Sequence, residues 1–252
     1  MRILISNDDG VQAEGIRVLA ERLKTVGKVV VVAPDRQRSA AGHGITLHRP
    51  LFVNYHKLCD GVDAYGVSGT PADCVKLGVN EIMKDARPDL IVSGINEGSN
   101  LGSDVMYSGT VSAAIEGAVQ GIPSIAVSQC GHSQLDYAGA ADFTAKLITQ
   151  VMKNGLNKDT VLNVNYPALK PDAVKGVRIT KLGERRYHNI FEKHYSPRGE
   201  AYYWLAGDLK DLAVEPDSDI QAIIDGYVTV SPVHFDFTHF QLMDDLRNWT
   251  LD

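Results

Sequence analysis

The first ten residues, MRILISNDDG (1–10), decide the fold. Ile3, Leu4 and Ile5 form an apolar run that ends in Asn7, Asp8, Asp9 and Gly10. A short continuous run of this kind reads as a strand buried on both faces, the usual state in a parallel sheet. Gly10 then frees the backbone to turn sharply. In open α/β sheets ligands bind beyond the carboxyl ends of the strands, and Asp8 and Asp9 stand at that place. Adjacent carboxylates repel unless positive charge lies beside them, and a hard divalent cation meets that need. The plainer alternative makes Asp9-Gly10 a turn and Asp8 a helix cap, since both residue types favour turns. NDDG alone leaves the two readings even.

Downstream of Gly10, Ile16, Leu19, Leu23 and Val26 recur at helical spacing, which predicts an amphipathic helix over residues 14–26 closed by Gly27. Val29 to Ala33 reads as a second buried strand, so the first 35 residues form a strand–helix–strand unit. The loop PDRQRSAAGHG (34–44) leaves from the same sheet edge as Asp8. Ser39 offers a hydroxyl to a metal and Arg36 or Arg38 a charge to phosphate, although loops of this composition are more often simply solvated. Residues 45–53 and 64–67 are expected as strands. GTPADCV (69–75) starts a helix, with Thr70 as cap, Pro71 at the first helical position and Asp73 in the first turn.

A further buried strand, Asp89 to Ser93, opens into the long glycine-rich loop GINEGSNLGSDVMYSGT (94–110). Asn96 lies a few residues past the strand, where its side-chain oxygen can reach the crevice of the aspartates. A helix follows from Thr110, with Val111, Ala114, Ile115 and Ala118 facing inward. Ser108, Gly109 and Thr110 therefore sit at a helix N-terminus, whose free N–H groups and dipole favour an anion. Serine and threonine are also ordinary caps; the glycine, which lets a phosphate approach closely, favours the anion. Strands at 123–128 and 161–164 flank a helix over 136–153, and Asn163 and Asn165 lie near the end of the later strand. The alternation stops there. From Val177 the chain reads as hairpins, including the aromatic stretch RRYHNIFEKHYSPRGEAYYWL (185–205), which suits a subunit contact or a lid. A helical piece near Asp219, the strand GYVTVSPV (226–233) and a short helix within 236–249 follow.

The 252 residues, 44% hydrophobic and 22% charged, suit an ordinary globular α/β protein. A formal net charge of −6 argues against a protein that coats nucleic-acid polymers. Cys59, Cys74 and Cys130 show no metal-ligand spacing and are expected as reduced thiols. No stretch approaches the ~20 apolar residues of a membrane span. With no signal-peptide pattern at the start, the expected compartment is the cytoplasm. The eight histidines are dispersed, and only His43 lies near the candidate site.

Asp8, Asp9, Ser39 and Asn96 make an all-oxygen set, which suits Mg²⁺, Mn²⁺ or Ca²⁺ and disfavours Zn²⁺ or Cu²⁺. Beside a helix N-terminus such an ion makes a phosphate pocket, and metal-assisted hydrolysis of a phosphate monoester is the reaction class that follows. Gly42 and His43 join Asn96, Ser108, Gly109 and Thr110 as the candidate substrate-binding set. The sequence lacks GxGxxG after the first strand, GxxxxGK[ST] and GxSxG, which disfavours a dinucleotide dehydrogenase, a P-loop NTPase and an α/β-hydrolase.

Five ordered blocks resemble the SurE family, the survival-protein nucleotidases: NDDG (7–10), RSAAGHGIT (38–46), GTPADCV (69–75), SGINEGSN (93–100) and YSGTVSAAIEG (107–117). The resemblance is dense to about residue 130 and resumes at SDIQAIIDGYVTVSP (218–232). It implies a divalent-metal-dependent 5′-nucleotidase for nucleoside monophosphates, with activity on 3′-nucleotides and short polyphosphate. It also implies one metal ion per subunit, Mg²⁺ or Mn²⁺, held by Asp8, Asp9, Ser39 and Asn96, with Ser108, Gly109 and Thr110 as phosphate neighbours. The fold it implies is α/β, with a Rossmann-like three-layer α/β/α core and a mostly parallel sheet over residues 1–180. Residues 181–252 add a hairpin arm, a returning strand and a C-terminal helix within the same overall domain, with tails exchanged in a homodimer or homotetramer. Whether an aspartate takes a proton from water or attacks phosphorus itself stays open; the reading carried forward is water attack, with Asp8 as base. The alternatives are a metal-dependent transferase and a nucleotide-sensing binding protein built on the same site.

Overall fold

Strand β1 (Arg2–Ser6) lies in the middle of a nine-stranded sheet in the computed structural model, which describes residues 1–131, 135–188, 191–212 and 215–250. Its alternate residues face opposite layers, as a pleated strand requires. Ile3 and Ile5 enter one buried cluster and Leu4 the other, so the uninterrupted apolar run is explained by burial on both sides.

Helix α1 (Glu14–Leu23) leads to β2 (Lys28–Pro34), which pairs in parallel with β1. The hairpin β3 (Val53–Cys59) and β4 (Val62–Val67) forms one edge of the sheet, with β4 parallel to β2. Helix α2 (Pro71–Leu77) then returns the chain across the sheet to β5 (Leu90–Glu97), parallel to β1 on its other side. Helix α3 (Gly109–Val119), β6 (Ser124–Gln129), α4 (Ala138–Asn154) and β7 (Thr160–Tyr166) continue the parallel order outward. Helices α1 and α4 pack together over Ile3, Ile5, Val31 and Val92, whereas α2 and α3 pack together over Leu4, Val32 and Ile91. The result is an α/β/α sandwich.

Strand β8 (Val177–Ile179) reaches the far edge, and two antiparallel hairpin pairs follow. Strand β9 (Glu184–His188) encloses the pair β10 (Phe191–Tyr195) and β11 (Ala201–Leu205), and it pairs with the later β12 (Asp208–Leu212). Helix α5 (Asp219–Ile224) leads to β13 (Val228–His234), which slots between β7 and β8, antiparallel to β7. Helix α6 (Phe240–Leu246) follows. Phe191, Tyr195, Tyr203 and Trp204 of the hairpin are exposed.

The elements differ from the sequence reading in three places. Helix α1 stops at Leu23, and Gly27 is not a left-handed cap: a Cβ there would stand 2.6 Å from the Met1 carbonyl oxygen, so glycine serves close packing on the sheet. Residues 45–52 form no strand, and the edge strand begins only at Val53. Strand β5 runs four residues past Ser93, through a cis Gly94-Ile95 peptide and a register shift, so Asn96 is a strand residue. Glycine signals a break in sequence, but Gly94 (φ 139°) is demanded here by the backbone of Val127 beside it. The Thr70 start of α2 is found as read, with Thr70 Oγ1 accepting from Asp73 N (3.1 Å) and Asp73 Oδ2 accepting from Thr70 N (2.9 Å).

Because β1 lies between β2 and β5, the direction of strand addition reverses there, and the crevice at the carboxyl ends of β1 and β5 is the topological switch point. Helix α1 borders this crevice closely: a Cβ on Gly15 would overlap the Ile95 carbonyl oxygen. Gly15→Ala is therefore expected to push α1 off β5 and lower stability by about 1–3 kcal/mol. Urea unfolding checks this; an unchanged midpoint would show that the helix has room to yield.

Candidate metal and phosphate site

The turn after β1 is made by Asn7. Its Oδ1 accepts from Gly10 N (3.1 Å) and its Nδ2 donates to Gly10 O (3.0 Å), while Gly10 takes φ 108°. The turn alternative raised for Asp9-Gly10 thus falls on Asn7, which leaves both aspartate side chains for other work. Asn7 was not singled out in the sequence, although an Asx residue three before the turn glycine is a signal to look for, since Asn side chains hydrogen-bond nearby backbone in turns.

Asp8 is 5% exposed and lies against the start of α3. The Thr110 hydroxyl donates to its Oδ1. A Cβ on Gly109 would stand 2.7 Å from Asp8 Cβ, so glycine is what lets the helix end approach so closely. Burial raises the Asp8 carboxyl to a pKa of about 6; the Thr110 hydrogen bond opposes this, and the Asp9 charge adds to it. Asp9 is half-buried and accepts from Glu97 N (3.0 Å). Burial also raises its pKa, against that hydrogen bond and with the Glu97 charge. Among the described residues, no Lys, Arg or His forms an ion pair with either aspartate.

Asn96 lies beside Glu97 at the end of β5. Its Nδ2 donates to Gly98 O (2.8 Å), which orients the amide and leaves Oδ1 without a hydrogen bond among the described residues. The loop over residues 35–44 is tied to the crevice where Arg38 N donates to Asp8 O (2.7 Å). Ser39 follows at once, exposed at the rim, with its Oγ accepting from Gln37 Nε2 (3.0 Å). Arg38 turns away, its guanidinium donating to Ser68 O (2.9 Å).

The candidate substrate-binding residues fare differently. Ser108 caps α3, its Oγ accepting from Val111 N (3.1 Å), and its own O–H has no acceptor among the described residues. Gly109 presents an N–H of the first turn, which has no acceptor within the helix. The Thr110 hydroxyl is engaged by Asp8. Gly42 N donates to Tyr107 O (3.1 Å) and is likewise engaged. His43 is engaged further along α3. Its Nε2 meets Glu116 Oε2 (3.0 Å) two turns into α3, about 10 Å from Gly109 at 1.5 Å per residue.

Glu116 itself went unnoticed in the sequence. Its side chain is 4% exposed, and its carboxylate also meets Lys76 Nζ (3.0 Å) and Gln120 Nε2 (2.8 Å). The one charged residue in the otherwise uncharged helix GTVSAAIEGAV is the signal that marks it. Burial works to raise its pKa, but the hydrogen bonds from His43, Gln120 and Lys76 outweigh burial and hold it at about 2.

The chemistry of these groups fits a hard divalent cation. Two neighbouring carboxylates are withdrawn from water with no cationic side chain paired to them among the described residues, and the nearby donors, Asn96 Oδ1 and Ser39 Oγ, are neutral oxygens. No group of three or more His, Cys, Asp or Glu side chains that could hold a metal ion occurs among the described residues, so a cation here would rest on the two carboxylates together with neutral oxygens. No helix among them is long and apolar enough to cross a membrane.

Fold and site together define an α/β protein with an acidic, oxygen-lined crevice and a helix N-terminus at the switch point of a parallel sheet. The chain belongs to the survival protein SurE family, whose model matches residues 3–189. It is 49% identical to the 5′-nucleotidase SurE of Alkaliphilus metalliredigens, over 100% of both chains. It is 50% identical to the 5′-nucleotidase SurE of Moorella thermoacetica, over 98% of this chain and 95% of that one. A crystal structure of the SurE protein from Aquifex aeolicus superposes with a TM-score of 0.85 at 41% identity, covering 98% of each chain.

Glu116 yields a pH-dependent expectation. Its folded pKa of about 2 lies below the ordinary 4.5, so its stabilisation is present above pH 4.5 and is lost as the pH falls toward 2. Glu116→Gln should cost about 2–3 kcal/mol at pH 7 and less than half of that at pH 3. Urea titrations at both pH values test it, and an equal loss at the two would refute the assigned charge.

Proposed function

We propose that the chain is a divalent-metal-dependent 5′-nucleotidase that hydrolyses nucleoside 5′-monophosphates to nucleoside and phosphate. The observation that carries this reading is the Asp8–Asp9 pair, Asp8 set against the first turn of α3 and Asp9 against the end of β5, without a cationic partner among the described residues. The names of relatives matched along their full length support the activity.

Asp8, Asp9, Asn96 and Ser39 would hold one Mg²⁺ or Mn²⁺ per subunit. When bound, such an ion supplies Lewis acidity toward phosphate oxygens and lowers the pKa of water. The first turn of α3 binds the phosphate through the Gly109 N–H and the O–H of Ser108, where the helix dipole favours negative charge. Asp8 accepts the proton of the attacking water, and Thr110 holds its carboxylate in place. A water oxygen adds to phosphorus, the bond from phosphorus to the ribose oxygen breaks, and the nucleoside leaves as the alcohol after gaining a proton. A 3′-nucleotide or a short polyphosphate presents the same terminal phosphate and is a substrate of the same chemistry. The exposed aromatic hairpin and the chain beyond β13 serve assembly into a homodimer or homotetramer, and the enzyme works in the cytoplasm.

Phosphate release from AMP or GMP should require Mg²⁺ or Mn²⁺ and disappear with EDTA. Asp8→Asn should lower kcat by about 10²–10⁴-fold while the circular-dichroism spectrum is retained. Full activity in that variant removes Asp8 from the chemistry. A nucleotide sensor would release no inorganic phosphate on prolonged incubation, and a transferase would favour an acceptor alcohol over water.

A further inference from the structure

The amides of Asn163 and Asn165, which lie two residues apart and so on one face of β7, have no place in the chemistry above, yet they converge on the backbone of one residue of the site loop, Asn100. Asn163 Nδ2 and Asn165 Nδ2 both donate to Asn100 O (2.9 and 3.0 Å), and Asn165 Oδ1 accepts from Asn100 N (2.8 Å). Asn100 Nδ2 donates to Ser128 Oγ (2.7 Å) on β6. All four residues are buried. Two residues before Asn100, Gly98 N donates to Gln129 O (2.9 Å), and Gly98 O accepts the Asn96 amide (2.8 Å). A continuous run of hydrogen bonds and short chain thus leads from β7 to the side chain of Asn96. Asn163 spends its amide on Asn100 while its own Oδ1 has no partner among the described residues. Stability alone gives no reason to keep that arrangement, since a buried carbonyl without a partner is unfavourable.

We infer that Asn163 and Asn165 are positioning residues: by clamping the Asn100 backbone they set the loop that aims Asn96 Oδ1 at the crevice of Asp8 and Asp9. This rests on the metal reading of the site. Groups that hold a metal ligand in place commonly govern metal affinity about 10–100-fold.

The test is Mn²⁺ affinity, read by the loss of the free-ion electron paramagnetic resonance signal and taken with kcat and KM for AMP. The proteins compared are the wild type, Asn163→Ala, Asn165→Asp, Asp8→Asn and the milder Ser128→Ala, each well below its own melting temperature. The expected result is Mn²⁺ binding weakened about tenfold or more in Asn163→Ala and Asn165→Asp. Ser128→Ala should show a smaller loss in the same direction, and saturating Mn²⁺ should restore much of kcat. If melting temperatures fall while Mn²⁺ affinity stays within about twofold of wild type, the clamp is only structural and the inference is overturned. If the two β7 variants do not fold, Ser128→Ala decides by the same criterion. Wild type that binds no Mn²⁺, or binds it equally well in Asp8→Asn, overturns the metal reading itself and this inference with it. Wild-type binding lost in Asp8→Asn but kept in the asparagine variants overturns this inference alone.

Discussion

A carboxylate pressed against the end of a helix governs the rest of this structure. Asp8 ends its strand beneath the first turn of α3, and the two elements meet there because Gly109 has no side chain. The Thr110 hydroxyl and the positive end of the helix dipole favour the ionised carboxylate. Burial and the neighbouring Asp9 oppose it, and the balance leaves the group near pH 6. Such a contact demands an accurate strand end, and the Asn7 turn supplies it by pairing twice with Gly10.

The loops around this contact have little regular structure, so their backbone groups need partners from elsewhere. Buried carboxylates outside the site provide many of them, since each offers several acceptor positions. Asp73 accepts from Thr46 N and Thr70 N, which holds the chain just after the Ser39 loop. Asp219 accepts from Gly102 N and Gly183 N, joining the turn before α3 to the base of the hairpin arm. The same turn meets the arm again where Arg185 pairs with Asp104 in a largely buried contact. The loops on either side of the crevice are thus held by buried carboxylates, and its own two aspartates have no cationic partner among the described residues.

Much of this was legible in the chain. The uncharged runs of β1 and β2 announce burial on both faces, and the Thr70-Pro71 start of α2 follows from capping chemistry alone. Asp8 and Asp9 are marked by their place after an apolar run. The errors came where glycine was read as punctuation. Gly94 lies inside a strand and Gly27 against another, because what the position lacks is room for a Cβ. Thr110, read with Ser108 and Gly109 as a phosphate neighbour, spends its hydroxyl on Asp8, and His43 meets Glu116, pairings the local sequence did not announce.

By itself the sequence determined which segments must be buried, which turns they end in, and which oxygen-bearing residues stand at those ends. These depend on the apolar period and on local hydrogen bonding, both of which are properties of a few neighbouring residues. Only the tertiary structure decided where each side chain spends its hydrogen bonds. Asp8 with Thr110, His43 with Glu116 and Asn165 with Asn100 are partners separated by 102, 73 and 65 positions. No local pattern encodes such pairs, because their geometry exists only once the sheet has brought its strand ends to one rim.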